Sequence, residues 1–158
     1  MIIFGIIHYN IIMFCFCARC EDDLRPIQVP ERKTLLLGRS MSGKSTFVHN
    51  LFYNKKRQGN PRCTLGVDVT SIDLHGEGGK IRANLWDCAG NPKYAGLGSS
   101  YWAGATHAII FGSKDSDYHN WYIKALPKNV KTSVILDYDQ DCEDFAERKE
   151  WLYDRIFD

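Results

Sequence analysis

The feature that most narrows what this chain can fold into is a nine-residue stretch, Gly38-Arg39-Ser40-Met41-Ser42-Gly43-Lys44-Ser45-Thr46. It fills the pattern G-x-x-x-x-G-K-[ST]. A short apolar run, Thr34-Leu35-Leu36-Leu37, stops at its first glycine, as a buried parallel strand should. Phe47-Val48-His49-Asn50-Leu51-Phe52 follows as a plausible helix. Strand, glycine-rich loop and helix in that order make a phosphate cradle. Backbone N–H groups wrap the anion, the helix N-terminus points at it, and one ammonium and one hydroxyl stand beside it. Lys44 would neutralise the β- and γ-phosphates and Ser45 would ligate Mg²⁺. With this composition the pattern arises in roughly 0.7% of shuffled sequences, so chance explains it poorly. The competing reading is a strand-to-helix turn with no ligand. Met41 argues for it, because the tight backbone of such a loop favours glycine, whereas Ser40 is small and tolerable.

Bulk properties add limits. The chain has 158 residues, with 20 Lys and Arg against 19 Asp and Glu, which suits one core and leaves a net charge of +1. That balance supplies no overall attraction for nucleic acid, an acidic partner or a membrane surface. Cys15, Cys17 and Cys20 cluster while Cys63, Cys88 and Cys142 are scattered, unlike a disulfide framework, so a reducing compartment is expected. With His8 as the only nearby histidine and no second cysteine pair, the cluster falls short of a structural zinc site. Residues 1–18 contain no Asp, Glu, Lys or Arg. A helix of that length spans about 27 Å, just short of a bilayer core, and His8, Tyr9 and Asn10 interrupt it. Membrane attachment through residues 1–18 is one reading; the other is an apolar arm packed on the domain or an upstream extension that contributes no fold. Residues 21–32, with Pro26 and Pro30, read as a linker. The expected organisation is an arm and linker over residues 1–31 and one domain over residues 32–158.

Beyond the first helix, residues 66–74 alternate apolar and polar side chains, residues 75–79 supply turn residues, and residues 80–86 alternate again. This predicts an antiparallel hairpin. Its second strand ends in Asp87-Cys88-Ala89-Gly90, an acid at the carboxyl end of a strand, where open α/β sheets bind ligands. Asp87 is suited to hold Mg²⁺ through water and the Gly90 N–H to meet a γ-phosphate. Between helix and hairpin, a polar, basic loop ends near Thr64, whose hydroxyl would complete the Mg²⁺ shell only while a triphosphate is intact.

A phosphate loop, a threonine loop and a hairpin ending in D-x-x-G follow in the order found in small GTPases. CTLGVDV (63–69) and NLWDCAGNPKYAGL (84–97) are similar to the first and second switch regions of the Ras superfamily. KYAGL and HAIIF (107–111) most resemble the Ran branch, and SSYWAGA (99–105) resembles the Rab branch. The likeness covers roughly residues 32–141. It implies an α/β P-loop NTPase fold of the small G domain type, a mostly parallel sheet flanked by helices and lacking the last strand and helix. It also implies GTP/GDP and Mg²⁺ as ligands. Arg39, Ser40, Met41, Ser42, Gly43, Lys44, Ser45 and Thr46 would enclose the phosphates, and Ser45, Thr64 and Asp87 would serve the metal. Gly90 would open the second switch. The water-orienting glutamine of the family is Asn91 here, one methylene shorter and followed by Pro92, so Asn91 and Lys44 are the catalytic candidates and hydrolysis is expected to be slow or partner-dependent.

The family reads guanine with N-K-x-D after the fifth strand. Here the strand candidate Ser133-Val134-Ile135-Leu136 leads into Asp137-Tyr138-Asp139-Gln140-Asp141, where only Asp141 matches. Asp141 could accept two hydrogen bonds from a guanine edge, and Tyr138 could stack where a lysine stem is lost. The alternative is an acidic loop with no ligand. Residues 118–126 predict a helix with Trp121, Tyr122 and Leu126 on the sheet, and residues 144–157 another with Phe145, Leu152 and Ile156 inward. Tyr101 and Trp102 are expected to pack in the core. The strand at residues 133–136 is expected near a sheet edge, for which residues 2–16 are a conceivable cover. Two function classes result. One is a Ran-like GTP switch in nucleus and cytoplasm, meeting transport carriers, exchange factors or activating proteins through its switch loops, with no direct nucleic acid. The other is a degenerate homologue that competes for a GTPase's partners.

Overall fold

The apolar run ahead of the glycine loop becomes the strand around which the sheet is built. In the computed structural model, which describes residues 28–59, 61–91, 93, 98–113, 118–139 and 144–157, β1 (Glu31–Gly38) lies between β3 (Gly79–Cys88) and β4 (His107–Gly112). A central parallel strand is covered on both faces, which is why Leu35, Leu36 and Leu37 follow one another without a polar break and are all buried. Among the described residues the sheet runs β2-β3-β1-β4-β5, with β2 (Val67–Gly76) antiparallel to β3 and β5 (Lys131–Leu136) parallel to β4. This is the mostly parallel, helix-flanked sheet of a small G domain.

Helix α1 (Lys44–Tyr53) and the final helix α3 (Phe145–Ile156) cover one face. Leu36, Phe47, Leu51, Leu85, Phe111 and Leu152 meet there. Helix α2 (Tyr118–Ala125) covers the other, where Leu35, Leu37, Ala108 and Ile110 meet Tyr122 and Leu126. Leu152 and Ile156 are fully buried in α3, joined by Tyr153, while Phe145 is half-buried.

Three expectations need correction. Strand β1 begins at Glu31, so residues 31 and 32 belong to the sheet and not to the linker; Glu31 and Arg32 pair with Arg82 and Ala83. The hairpin turn shrinks to Glu77 and Gly78, because Gly76 and Gly79 pair directly and Gly79 takes a φ of 112°. Trp121 does not pack on the sheet: it is 57% exposed, whereas Tyr122 and Leu126, four residues apart on one helical face, are buried. Tyr101 and Trp102 are half-buried, Trp102 against the α2-side core and Tyr101 near Trp86. Strand β5 stands at an edge of the described sheet, with Val134 and Leu136 exposed. Residues 1–27, including the proposed arm, the cysteine cluster and any cover for β5, lie outside the described residues, as does Asp141.

Candidate functional site

Strand β1 delivers the chain to Gly38, whose φ of 141° sends it outward beside β4; a Cβ there would strike the Phe111 backbone. The loop closes on itself through Ser42 N–H to Arg39 O at 3.4 Å and enters α1 at Gly43, in the left-handed region with φ 93°. No side chain caps α1 and no acidic residue lies in its first turn. The first N–H groups of any helix have no partner within it, so this end offers donors and a positive dipole to an anion. Met41 adopts φ 64°, the conformation glycine would supply, with its side chain 67% exposed. The loop keeps its curl at a conformational cost of about 1–2 kcal/mol.

Lys44 lies across the mouth of this curl. Its Nζ donates to Gly38 O at 3.1 Å, Arg39 O at 2.7 Å and Ser42 Oγ at 3.4 Å. Burial lowers its pKa, and the nearby Asp87 carboxylate opposes that fall. Thr46, next along α1, is buried.

Three oxygens from distant parts of the chain converge beside it. Ser45 Oγ donates to Asp87 Oδ2 at 2.5 Å, Thr64 Oγ1 donates to the same oxygen at 3.3 Å, and the two hydroxyls are 3.1 Å apart. Asp87 is placed by the end of β3, Ser45 by the start of α1, and Thr64 by the connection between α1 and β2. Burial raises the Asp87 pKa, while the Ser45 hydroxyl, the Lys44 charge and the Thr64 hydroxyl hold it down. Its other oxygen, Oδ1, is buried without a hydrogen-bond partner. A hard dication that takes oxygen ligands and keeps several waters, holding one carboxylate plus phosphate oxygens, fits this donor set. The orphaned Oδ1 is a polar atom that such an ion with its waters would satisfy.

Gly90 presses against the loop: a Cβ on it would collide with the backbone of Arg39 and Ser40. Pro61, Arg62, Cys63 and Thr64 form the opposite wall of the cleft, and Ser40 Oγ lies 3.7 Å from Cys63 Sγ. Arg62 was missed by sequence reasoning. Its only signal was a cation two residues before Thr64 in a generally basic loop. Asn91 is turned to its own loop, its Oδ1 accepting the Lys93 N–H at 3.0 Å. Cys88, behind the site, is buried and its thiol is pushed up to about 11 by desolvation, which keeps it protonated and unreactive.

Residues 33–140 match the family described as Ras of Complex, Roc, domain of DAPkinase. The chain belongs to the Roc family, within the Ras superfamily. The matched segment runs from β1 through the end of β5 and so contains every group of the cleft. As a Roc domain it is also similar to the GTP-binding protein ypt3 of Schizosaccharomyces pombe (strain 972 / ATCC 24843), 29% identical over 108 residues, 66% of this chain and 50% of that one. It is 28% identical over 109 residues to the Ras-related protein RGP2 of Oryza sativa subsp. japonica, covering 66% of this chain and 49% of that one. The chain spans about half the length of the curated relatives it matches.

Proposed function

We propose that this chain is a small GTP-binding protein that holds GTP or GDP with Mg²⁺ in the cleft between the glycine loop and the loop of Thr64. The carrying observation is the meeting of Lys44, Ser45, Thr64 and Asp87, brought from three separate places in the sequence to one part-buried point. The α1 N-terminus and Lys44 would take the phosphates, with Lys44 already oriented by three loop oxygens. Ser45, Thr64 and Asp87 would hold the magnesium, which supplies charge neutralisation between the phosphates when bound. Thr64 and Gly90 both line the cleft, so a ligand in it would bias both segments, the route by which exchange factors and activating proteins would sense it. Hydrolysis would be slow, since the Asn91 carbonyl is engaged by Lys93 N–H.

A Ran-like role with transport carriers, in nucleus and cytoplasm, is the finer reading and rests on the sequence of residues 93–97 and 107–111. The names of the two relatives support a Ras-related GTP-binding protein more broadly. The degenerate interaction module is the second reading, favoured by the left-handed Met41 and by the engaged Asn91.

Isothermal titration of the folded protein with GTP and GDP in Mg²⁺ separates the two. Micromolar or tighter binding is expected, with Lys44→Ala weakening it about a hundredfold, since phosphate charge is then left unpaired. No binding by folded wild-type protein would remove the switch.

A further inference from the structure

A polyphosphate in this cleft needs more positive charge than the glycine loop supplies. Lys44 is the buried cation there, and the Asp87 carboxylate stands close enough to offset it. A dication bridging the two outer phosphates cancels only part of the negative charge of a triphosphate, which keeps one phosphate more of it than a diphosphate does. Among the described residues that line the cleft the only other cation is Arg62, and no carboxylate lines it with them. Arg62 is exposed. A guanidinium keeps its charge at every working pH and offers paired N–H donors that match phosphate oxygens.

The neighbours of Arg62 fix where its segment stands. Thr64 Oγ1 is 3.1 Å from Ser45 Oγ and 3.3 Å from Asp87 Oδ2, which puts the segment at the metal corner. Cys63 Sγ lies 3.7 Å from Ser40 Oγ, so the segment also touches the glycine loop ahead of the helix. Gly90 meets the loop at the same residue, where an added Cβ would fall 2.4 Å from Ser40 N. Arg62 precedes Thr64 by two residues, which span at most about 7 Å of backbone, so its long stem brings a phosphate at the Thr64 corner within reach.

Lys44 is committed differently. Its Nζ is held by Gly38 O, Arg39 O and Ser42 Oγ, all on the loop, and so serves the phosphates inside the curl that a diphosphate and a triphosphate share. The two cations approach from different segments, one from the loop and one from the wall that carries the Thr64 hydroxyl. Resting on the GTP-binding reading above, we infer that Arg62 is a second phosphate cation of the site, which takes the outermost phosphate and so makes the cleft favour a nucleoside triphosphate over a diphosphate.

Isothermal titration of the full chain in Mg²⁺ with GDP and a nonhydrolysable GTP analogue, for wild type, Arg62→Gln and Arg62→Lys, tests this. Arg62→Gln is expected to weaken the triphosphate about tenfold or more, as the loss of a charge-assisted contact should, and to leave GDP within about twofold. Arg62→Lys keeps the charge but loses the paired donors, and its triphosphate affinity is expected to fall between the other two. A folding defect would weaken both nucleotides alike, so the ratio of their affinities reports the contact itself. Equal weakening of both overturns the inference, because Arg62 would then serve something the two ligands share. An unchanged triphosphate affinity in Arg62→Gln overturns it as well, because the guanidinium would then stay in solvent. Either result leaves the GTP-binding reading standing, whereas failure of folded wild-type protein to bind both nucleotides removes that reading and this inference together.

Discussion

Met41 holds a backbone conformation that glycine normally supplies, and the loop closes all the same. Its φ of 64° costs about 1–2 kcal/mol, while glycine in its place would lose about 0.5–1 kcal/mol more chain entropy on folding. Met41→Gly is therefore expected to stabilise the protein by up to about 1 kcal/mol in urea unfolding. A fall in the midpoint would mean that the exposed thioether makes a contact worth more than the strain. At this scale the sequence was most readable where a rule is local. Lys44 and Ser45 follow from the spacing of two glycines, and the structure puts both in the cleft. Arg62 and the inward turn of Tyr138 do not follow from spacing, because each depends on which surface its loop folds against.

Elements were legible where side-chain period and burial agree. The hairpin alternates cleanly because β2 packs one face on the core, with Ile72 and Leu74 buried and Ser71, His75 and Gly76 exposed. It carries its own electrostatic clamp. Asp73 faces Arg82 directly in the register, accepting from its Nε at 2.8 Å, and Lys80 Nζ is 2.8 Å away. Hydrogen bonds from Arg82 first, then Lys80, hold the Asp73 carboxyl well below the usual carboxylate range. A carboxyl depressed in the folded state stabilises above its unfolded pKa near 3.8 and loses that contribution as pH falls toward the folded value. Asp73→Asn should accordingly lower Tm slightly at pH 7, less so in high salt, and the gap should close as pH falls below about 4. A gap independent of pH would assign the effect to the acceptor oxygen that the amide NH2 replaces and not to the charge. Helix α2 was misread at Trp121 because an aromatic residue beside the apolar stripe looks like part of it until the neighbouring turns are placed.

Across the whole molecule, α3 ties the end of the described chain to the hairpin. Tyr153 and Phe157 stack at 4.8 Å with 24° between their planes, lying against Gly76 and Gly78, where a Cβ on either glycine would overlap a ring. The same helix supplies Arg148 to Tyr138, so one element braces both the hairpin and the glycine loop. Leu152 is fully buried in this junction, and Leu152→Ala is expected to cost about 2–5 kcal/mol, read as a lower urea midpoint. A loss under about 1 kcal/mol would show that α3 is not part of the cooperative core.

By itself the sequence determined the glycine loop, the helix it opens, the hairpin and the mostly parallel sheet. Each is written in short-range terms: glycines where φ must be positive, periods of two or near four, and an apolar run where both faces are covered. Tertiary structure alone decided that Thr64 and Asp87, 23 residues apart, meet Ser45, that Arg62 lines the cleft, that Tyr138 packs on Gly43, Phe47 and Phe111, and where α3 sits. Those outcomes turn on burying surface between segments far apart in the chain, and no local period records which partner a buried face will find.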